Sequence, residues 1–476
     1  MPDGYAFGPF ELDARGKRLL REHEPLSISA RHFDLLHALV ANAGEVLSKD
    51  RLIEIAWRDV AVTDNSLEQA ISSLRKMLVS RPADQYIRTE ARRGYRFAAP
   101  VTRVATRETD AALDALLAPH RAWIEGRAAL ESLERDQIAR ARDVLEGVLQ
   151  RVPEQASVHV GLANAYAMQF EMTRADPAPD VAALERAAVH ARDACRLDAQ
   201  YGEAWATLGF VLARAGNRAD AVAASRRAVT LEPDNWRHHV RLAYGTWGEE
   251  RLRAADRALA LLPGLPMAHW LAATVHVARN SLTEAERELD AGLAAPPEVT
   301  RFSSVALHWL RGLLHLARGD EDKALAEFDR ELASEASGHL YSRECCANTY
   351  YAIGAVWLRR RRLDEARAAF DAATARVAIH PMARIGLGAA GPRPTMSGLA
   401  ARERKALDLA IAEAAARLLE APSNVSDAVT IVNRALAEAP PSDSDGWLIP
   451  VEPLLGVQAA PDVWSPVLAR LRGRAS

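Results

Sequence analysis

One spacing recurs through more than half of the chain. A tryptophan, tyrosine or leucine near the start of a helical stretch is followed by a small residue. Alanines and a phenylalanine then fall at helical intervals in the next stretch. The clearest copy is Glu203-Ala-Trp205-Ala-Thr-Leu208-Gly209, continued by Ala221, Ala228 and Pro233. Tyr350, Ile353 and Gly354 with Ala366, Phe370 and Ala373 form a second, and Gly312 with Ala324 and Phe328 a third. Leu162 and Ala163 with Ala187 and Ala194, Leu242 and Ala243 with Ala258, and Trp270 with Ala285 are looser copies. Trp123 with Ala141 and Pro153 opens the series. Small residues let two helices approach closely, and proline ends the second of them. One such pair cannot cover its own apolar face, so the pairs must stack. The fold expected is therefore mainly α, with a repeat superhelix over 119–385 and further helices with a C-terminal cap over 386–476.

The first 101 residues follow different rules. Alanine is scattered there, strand patterns are short, and Thr102-Arg-Val-Ala-Thr-Arg-Glu-Thr-Asp110 lacks apolar periodicity, so 102–118 reads as a linker. The whole chain is nearly neutral, with a net charge of −3. Residues 1–101 also balance, with 15 Lys/Arg against 14 Asp/Glu, yet residues 75–103 hold 8 Lys/Arg and only 2 Asp/Glu. A basic strip inside a neutral domain is a directed electrostatic footprint.

Local patterns here describe an α+β winged helix. Tyr5–Asp13 and Arg18–Arg21 read as strands joined by a turn at 14–17, and Pro25–Ser29 as a further short strand. Phe33, Leu36, Leu39 and Val40 make one apolar helix stripe, and a second helix starts at Ser48 and buries Leu52, Ile53, Ala56 and Trp57. The loop 60–66 offers N-caps for a third helix over roughly 65–79. In that helix Leu67, Ala70, Ile71, Leu74 and Leu78 share one face. Asn65, Gln69, Ser72, Ser73 and Lys76 fall opposite, with Glu68 and Arg75 on the flanks. Amides, hydroxyls and a cation can exchange hydrogen bonds with base edges. Tyr86–Glu90 and Gly94–Phe97 then form a hairpin with Arg92 and Arg93 at its tip, suited to groove and phosphate contact.

Ser29-Ala-Arg-His-Phe-Asp-Leu-Leu, Leu47-Ser-Lys-Asp-Arg-Leu, Asp64-Asn-Ser-Leu-Glu-Gln-Ala-Ile-Ser-Ser-Leu-Arg-Lys and Ile87-Arg-Thr-Glu-Ala-Arg-Arg-Gly-Tyr-Arg-Phe occur in order. Together they resemble the OmpR/PhoB-type winged-helix DNA-binding domain, in the variant of CadC-type regulators. The resemblance implies double-stranded DNA as partner, with Gln69 and Ser73 toward bases. It implies Trp57, Arg75, Lys76 and Thr89 toward phosphates, and Arg92 or Arg93 in the minor groove. Ser72-Ser73 stands where many members carry a basic pair, and Ala91 where others place the minor-groove arginine, so the operator sequence is not inherited. Likewise the repeat pattern resembles the tetratricopeptide repeat, whose groove commonly takes peptides or proteins. Mapping it onto the best copies points Phe210, Arg214, Trp309, Asn348, Tyr351 and Arg359 toward a partner-binding groove. Packing between repeats is the competing reading for Trp309 and Phe210.

Other chemistry is not signalled. There is no G-x4-GK[ST], HExxH or G-x-S-x-G. Cys345 and Cys346 are adjacent, Cys195 is isolated and His238-His239 lies in a repeat helix. Cys345 and Cys346 read as core or partly buried thiols rather than a redox switch, and His238-His239 as packing or surface residues rather than metal ligands. No enzyme activity, cofactor or metal is expected. With no apolar opening segment of signal-peptide length and no run of about 18 uncharged apolar residues, a cytoplasmic protein with no membrane partner is expected. Two functional classes remain. One is a transcription regulator whose repeats receive a protein, peptide or small-molecule signal, with homodimerisation or RNA polymerase contact as outputs. The other is an interaction scaffold whose winged helix docks protein.

Overall fold

A computed structural model describes residues 4–57, 64–79, 85–104, 117, 121, 123–295, 305–391, 406–440 and 444–476. The chain divides into two compact units, Met1–Pro119 and His120–Ser476.

The first unit is a winged helix. Strands β1 (Gly4–Phe7), β2 (Phe10–Asp13), β3 (Arg18–Arg21), β4 (Glu24–Leu26) and β8 (Thr102–Val104) form an antiparallel sheet in the order β4-β3-β2-β1-β8. Helices α1 (Ala30–Ala41), α2 (Lys49–Ala56) and α3 (Asp64–Met77) follow. Strands β5 (Val46–Leu47), β6 (Ile87–Glu90) and β7 (Gly94–Phe97) make a second sheet in the order β5-β7-β6. Ser29 and Ser48 cap α1 and α2 by accepting from His32 N and Arg51 N. The core joins all layers: Phe7 meets Phe97 edge-on with centroids 5.0 Å apart, over Phe33, Leu36, Leu67, Ile71 and Leu74.

Two expectations for this unit change. The stretch 5–13 is not one strand but a hairpin, because Gly8 takes φ +55 and Phe7 pairs with Phe10. The supposed linker also begins inside the sheet: Thr102, Arg103 and Val104 pair with Ala6, Tyr5 and Gly4. A three-residue edge strand has too few residues to display a period. Residues 105–116 of that linker and 60–63 of the loop before α3 lie outside the described residues.

The second unit is built of helix pairs in tetratricopeptide style. The pairs are Ala156–Thr173 with Val181–Leu197, Gly202–Arg214 with Arg218–Leu231, and Trp236–Gly245 with Glu249–Leu261. Pro266–Ala278 with Leu282–Leu293, Leu307–Ala317 with Glu321–Leu332, and Ser342–Arg359 with Leu363–Arg376 continue the array. A helical stretch over 123–131 and the helix Arg135–Leu149 precede it. The small residues sit where partner helices touch. A Cβ on Gly209 would lie 2.8 Å from the Ala221 carbonyl oxygen and 2.3 Å from Ser225 Oγ, so any larger residue pushes that pair apart. The array also closes on itself: Arg174 pairs with Glu344 at 2.8 Å, and Arg343 with Asp176 at 2.6 Å.

The C-terminal region departs from expectation in two ways. Residues 386–389, read as the start of a loop and as a domain boundary, belong to the helix Pro381–Ala389; residues 392–394 of that loop lie outside the described residues. Helices Ala406–Glu420 and Val425–Glu438 then follow, and 399–405 are likewise outside the description. The tail does pack on the last helices, through Trp464, Val467 and Leu471. It is more than an end cap, however, because it runs back over the first helices of three earlier pairs. Trp447 stands edge-on to Trp270 at 6.2 Å, Arg359 donates to the Pro453 carbonyl at 2.5 Å, and Gln458 Nε2 donates to Asn280 Oδ1 at 2.7 Å. Arg279 holds the Ala475 carbonyl through two nitrogens at 3.0 and 2.8 Å.

Candidate nucleic-acid interface and repeat groove

Helix α3 has the two faces its periodicity requires. Leu67, Ala70, Ile71, Leu74 and the following Leu78 are buried, while Glu68, Gln69, Ser72, Ser73, Arg75 and Lys76 are exposed. Ser73 Oγ donates to the Gln69 carbonyl at 3.0 Å, which occupies its proton and leaves the exposed oxygen to act as an acceptor. The side chain of Asn65 lies outside the described residues. Lys49 Nζ pairs with Glu68 Oε1 at 2.9 Å and ties α2 to the flank of α3.

The wing follows from backbone chemistry. Arg93 N donates to the Glu90 carbonyl at 2.9 Å, and Arg92 sits at φ +60. Gly94 then takes φ +131, and a Cβ there would lie 1.9 Å from the Leu47 carbonyl oxygen. That close approach lets β7 lie against β5 and projects Ala91, Arg92 and Arg93 into solvent, where all three are exposed. Arg88, opposite Arg96 across the hairpin, is exposed as well. Arg96 is paired to Glu90 at 2.6 Å, whereas Lys76, Arg88, Arg92 and Arg93 have no ion-pair partner among the described residues. Arg88 was not singled out from the sequence; its place on the outward face of β6 depends on the strand register.

Two phosphate candidates are placed differently from what the resemblance implies. Trp57 is only 6% exposed, in the core with the Arg31 guanidinium 5.0 Å from its ring centroid, because the C-cap of α2 turns it inward. Arg75 is engaged within the protein: Nε donates to the Ile87 carbonyl at 3.0 Å and Nη2 to Thr89 Oγ1 at 2.8 Å. It joins helix to wing, and Thr89 is its acceptor.

The groove candidates separate into two places. Arg214 pairs with the buried Glu171 at 2.9 Å, donates to Tyr244, and lies over the rings of Phe210 and Tyr244. Phe210 and Arg214 thus belong to a network that closes the array. Trp309, Asn348 and Tyr351 instead line one cavity of about 510 Å³, together with His380, Trp447 and Glu452. His380 Nε2 and Asn348 Oδ1 are 3.0 Å apart, and Tyr351 donates to Glu452, whose carboxyl burial raises to about 7. Arg359 lies outside, on Pro453. The walls from 444–453 were not legible, since nothing local in the tail indicates which helices it will meet.

Cysteines and histidines are structural in placement. All three cysteines are free and buried, and burial pushes the Cys195 thiol to about 11 and Cys346 to about 12. His238 Nε2 lies 2.9 Å from Glu232 Oε2 and His239 Nε2 lies 2.8 Å from the Pro233 carbonyl. Among the described residues no group of His, Cys, Asp or Glu is arranged to hold a metal, and no helix is long and apolar enough to cross a membrane.

A polar-faced helix beside an arginine-tipped hairpin, on a three-helix core, defines the class of winged-helix domains. Residues 23–97 match the family model described as "Transcriptional regulatory protein, C terminal", and the chain carries this OmpR/PhoB-type domain ahead of its tetratricopeptide-like array. The transcriptional regulator HilA of Salmonella typhimurium is 35% identical over 101 residues, 21% of this chain and 18% of HilA. The transcriptional activator CadC of Escherichia coli K12 is 38% identical over 86 residues, 18% of this chain and 17% of CadC. The chain thus spans less than a fifth of the length of these relatives. The solved DNA-binding domain of E. coli CadC, 32% identical, covers 21% of this chain and 97% of that structure, with a TM-score of 0.20.

Proposed function

We propose that this chain is a non-enzymatic transcription regulator that binds duplex DNA through α3 and the β6–β7 wing. Its repeat unit would receive the controlling signal. One observation carries the DNA-binding reading: Gln69, Ser72, Ser73 and Lys76 are exposed on one face of α3, and the same unit exposes Arg92 and Arg93 at a hairpin tip. A polar helix face can enter the major groove, and arginines on a ribbon can follow phosphates or a narrow minor groove. HilA and CadC, named a regulator and an activator of transcription, support the role. The repeat unit acts by altering promoter occupancy, through dimerisation or polymerase contact, when its ligand or partner distinguishes two arrangements of the protein.

Fluorescence anisotropy of the full-length protein on a pool of promoter fragments tests this. Binding should fall steeply with salt as phosphate counterions are released. Arg92→Ala with Arg93→Ala should weaken binding on all sequences, whereas Gln69→Ala should change preference at one base step by ~1–3 kcal/mol. Salt-insensitive binding, or none, would sink the reading and favour the protein-docking scaffold.

A further inference from the structure

The cavity of about 510 Å³ lies between the helices Leu307–Ala317, Ser342–Arg359 and Ala406–Glu420 and the stretch 444–453 of the tail. Its volume suits a small molecule rather than a folded partner. Trp309, Leu313, Met382, Ile411 and Trp447 give it apolar walls. Its carboxyl groups are already committed within the protein. Arg174 balances Glu344 at 2.8 Å, Glu452 accepts from Tyr351 and from Leu454 N, and Asp408 and Asp445 have partners of their own. No lysine or arginine lines the cavity among the described residues. A charged guest would shed its water here and meet no uncommitted counter-charge, which disfavours cations and anions alike.

One polar group of the lining is held in a fixed orientation and left with hydrogens to donate. Ala383 N donates to His380 Nδ1 at 3.2 Å, so the ring carries its proton on Nε2. Nε2 lies 3.0 Å from Asn348 Oδ1, which makes Oδ1 the acceptor and turns the amide nitrogen away from the ring. His380 is only 7% exposed, so packing holds this relay in place. Asn348 lines the cavity, and its Nδ2 has no acceptor among the described residues. The backbone of one helix thus orients, through an imidazole, an amide donor on the wall of an apolar space.

We propose that this cavity binds an uncharged small molecule, an apolar body carrying a carbonyl oxygen that accepts from Asn348 Nδ2. The inference rests on the reading of the repeat unit as a signal receiver and supplies the chemical class of the signal.

Isothermal titration of the full-length protein tests it without DNA, so its failure leaves DNA binding, and control of that binding by another signal, standing. The probes share one skeleton. They are the ketone 4-phenylbutan-2-one, the protonated amine 4-phenylbutan-2-amine, and the hydrocarbon (3-methylbut-3-en-1-yl)benzene, in which a methylene replaces the oxygen. The ketone should bind about fivefold or more tightly than either of the others. Asn348→Asp keeps an acceptor for His380 and replaces the amide donor by a second oxygen. It should weaken the ketone about tenfold and strengthen the amine. Ile411→Trp, which fills the cavity, should abolish binding of the ketone in a protein whose Asn348 is intact. Thermal melts of both variants confirm that the fold is retained. No ketone binding to the wild type at about 5 mM, equal affinity for ketone and hydrocarbon, or a folded Asn348→Asp variant that holds the ketone as the wild type does, overturns the proposal.

Discussion

The guanidinium of Arg75 bridges the third helix and the wing, with Nη2 donating to Thr89 Oγ1 at 2.8 Å while Nε holds the Ile87 carbonyl at 3.0 Å. The contact sets the angle between the element that would enter a groove and the element beside it. Arg75→Ala should therefore lower the stability of the first unit by about 1 kcal/mol, because a charged hydrogen-bond donor is lost at a half-exposed site. DNA affinity should drop further than that loss of one cation implies. Arg75→Lys should not restore it, since a single ammonium cannot reproduce the planar fork. Denaturant midpoints read beside anisotropy check this. Unchanged stability with weakened DNA binding would mean that Arg75 acts on phosphate alone.

Gly94 is the second fixed point of the wing. At φ +131 with a virtual Cβ 1.9 Å from the Leu47 carbonyl, it accepts no side chain without separating β7 from β5. Gly94→Ala should cost roughly 2–4 kcal/mol, a positive-φ penalty plus a backbone clash. Gly44 is the control: it has φ +92 but nothing within 4 Å, so Gly44→Ala should cost only the conformational part, about 1 kcal/mol. Equal losses at both positions in urea unfolding would refute the close-approach argument.

The contrast between α3 and β8 explains which features were legible in the sequence. The α3 faces follow from a period of 3.6 within one segment, so Leu67, Ile71 and Leu74 inward and Gln69, Ser72 and Lys76 outward could be read locally. The repeats were legible for the same reason, each small residue marking a contact within its own pair. Long-range partners carry no such mark. Neither the pairing of Thr102–Val104 with β1 nor the course of the tail over Trp270 and Tyr351 leaves a local period. The burial of Trp57 followed from the stripe of α2, whereas its assignment to phosphate came from the resemblance alone. From the β8 pairing a fragment test follows. Residues 1–119 should unfold at a higher urea midpoint than residues 1–101, which leave β1 as an unpaired edge. A difference of about 1–2 kcal/mol is expected for one short strand. Superimposable curves would show that β8 adds nothing.

Glu452 gives the second unit a pH signature of identifiable sign. Burial raises its carboxyl from the usual 4.5 to about 7, against the opposing effects of Tyr351, Leu454 N and Arg359, so the folded protein holds a proton that the unfolded chain releases. A raised pKa contributes stability that is fully present below the unfolded value and is lost as pH rises through the folded one. Between about pH 4.5 and 7 this group therefore lowers stability as pH rises, up to a ceiling on the order of 3 kcal/mol. Histidines 190, 238 and 276, whose pKa values burial lowers, act with the opposite sign in acid, so the raw pH profile mixes both. Glu452→Gln separates them: the amide can still accept from Tyr351 but cannot ionise. Relative to wild type, the variant should gain melting temperature progressively from pH 5 to pH 8. A constant offset between the two proteins over that range would mean that Glu452 does not change its protonation on unfolding.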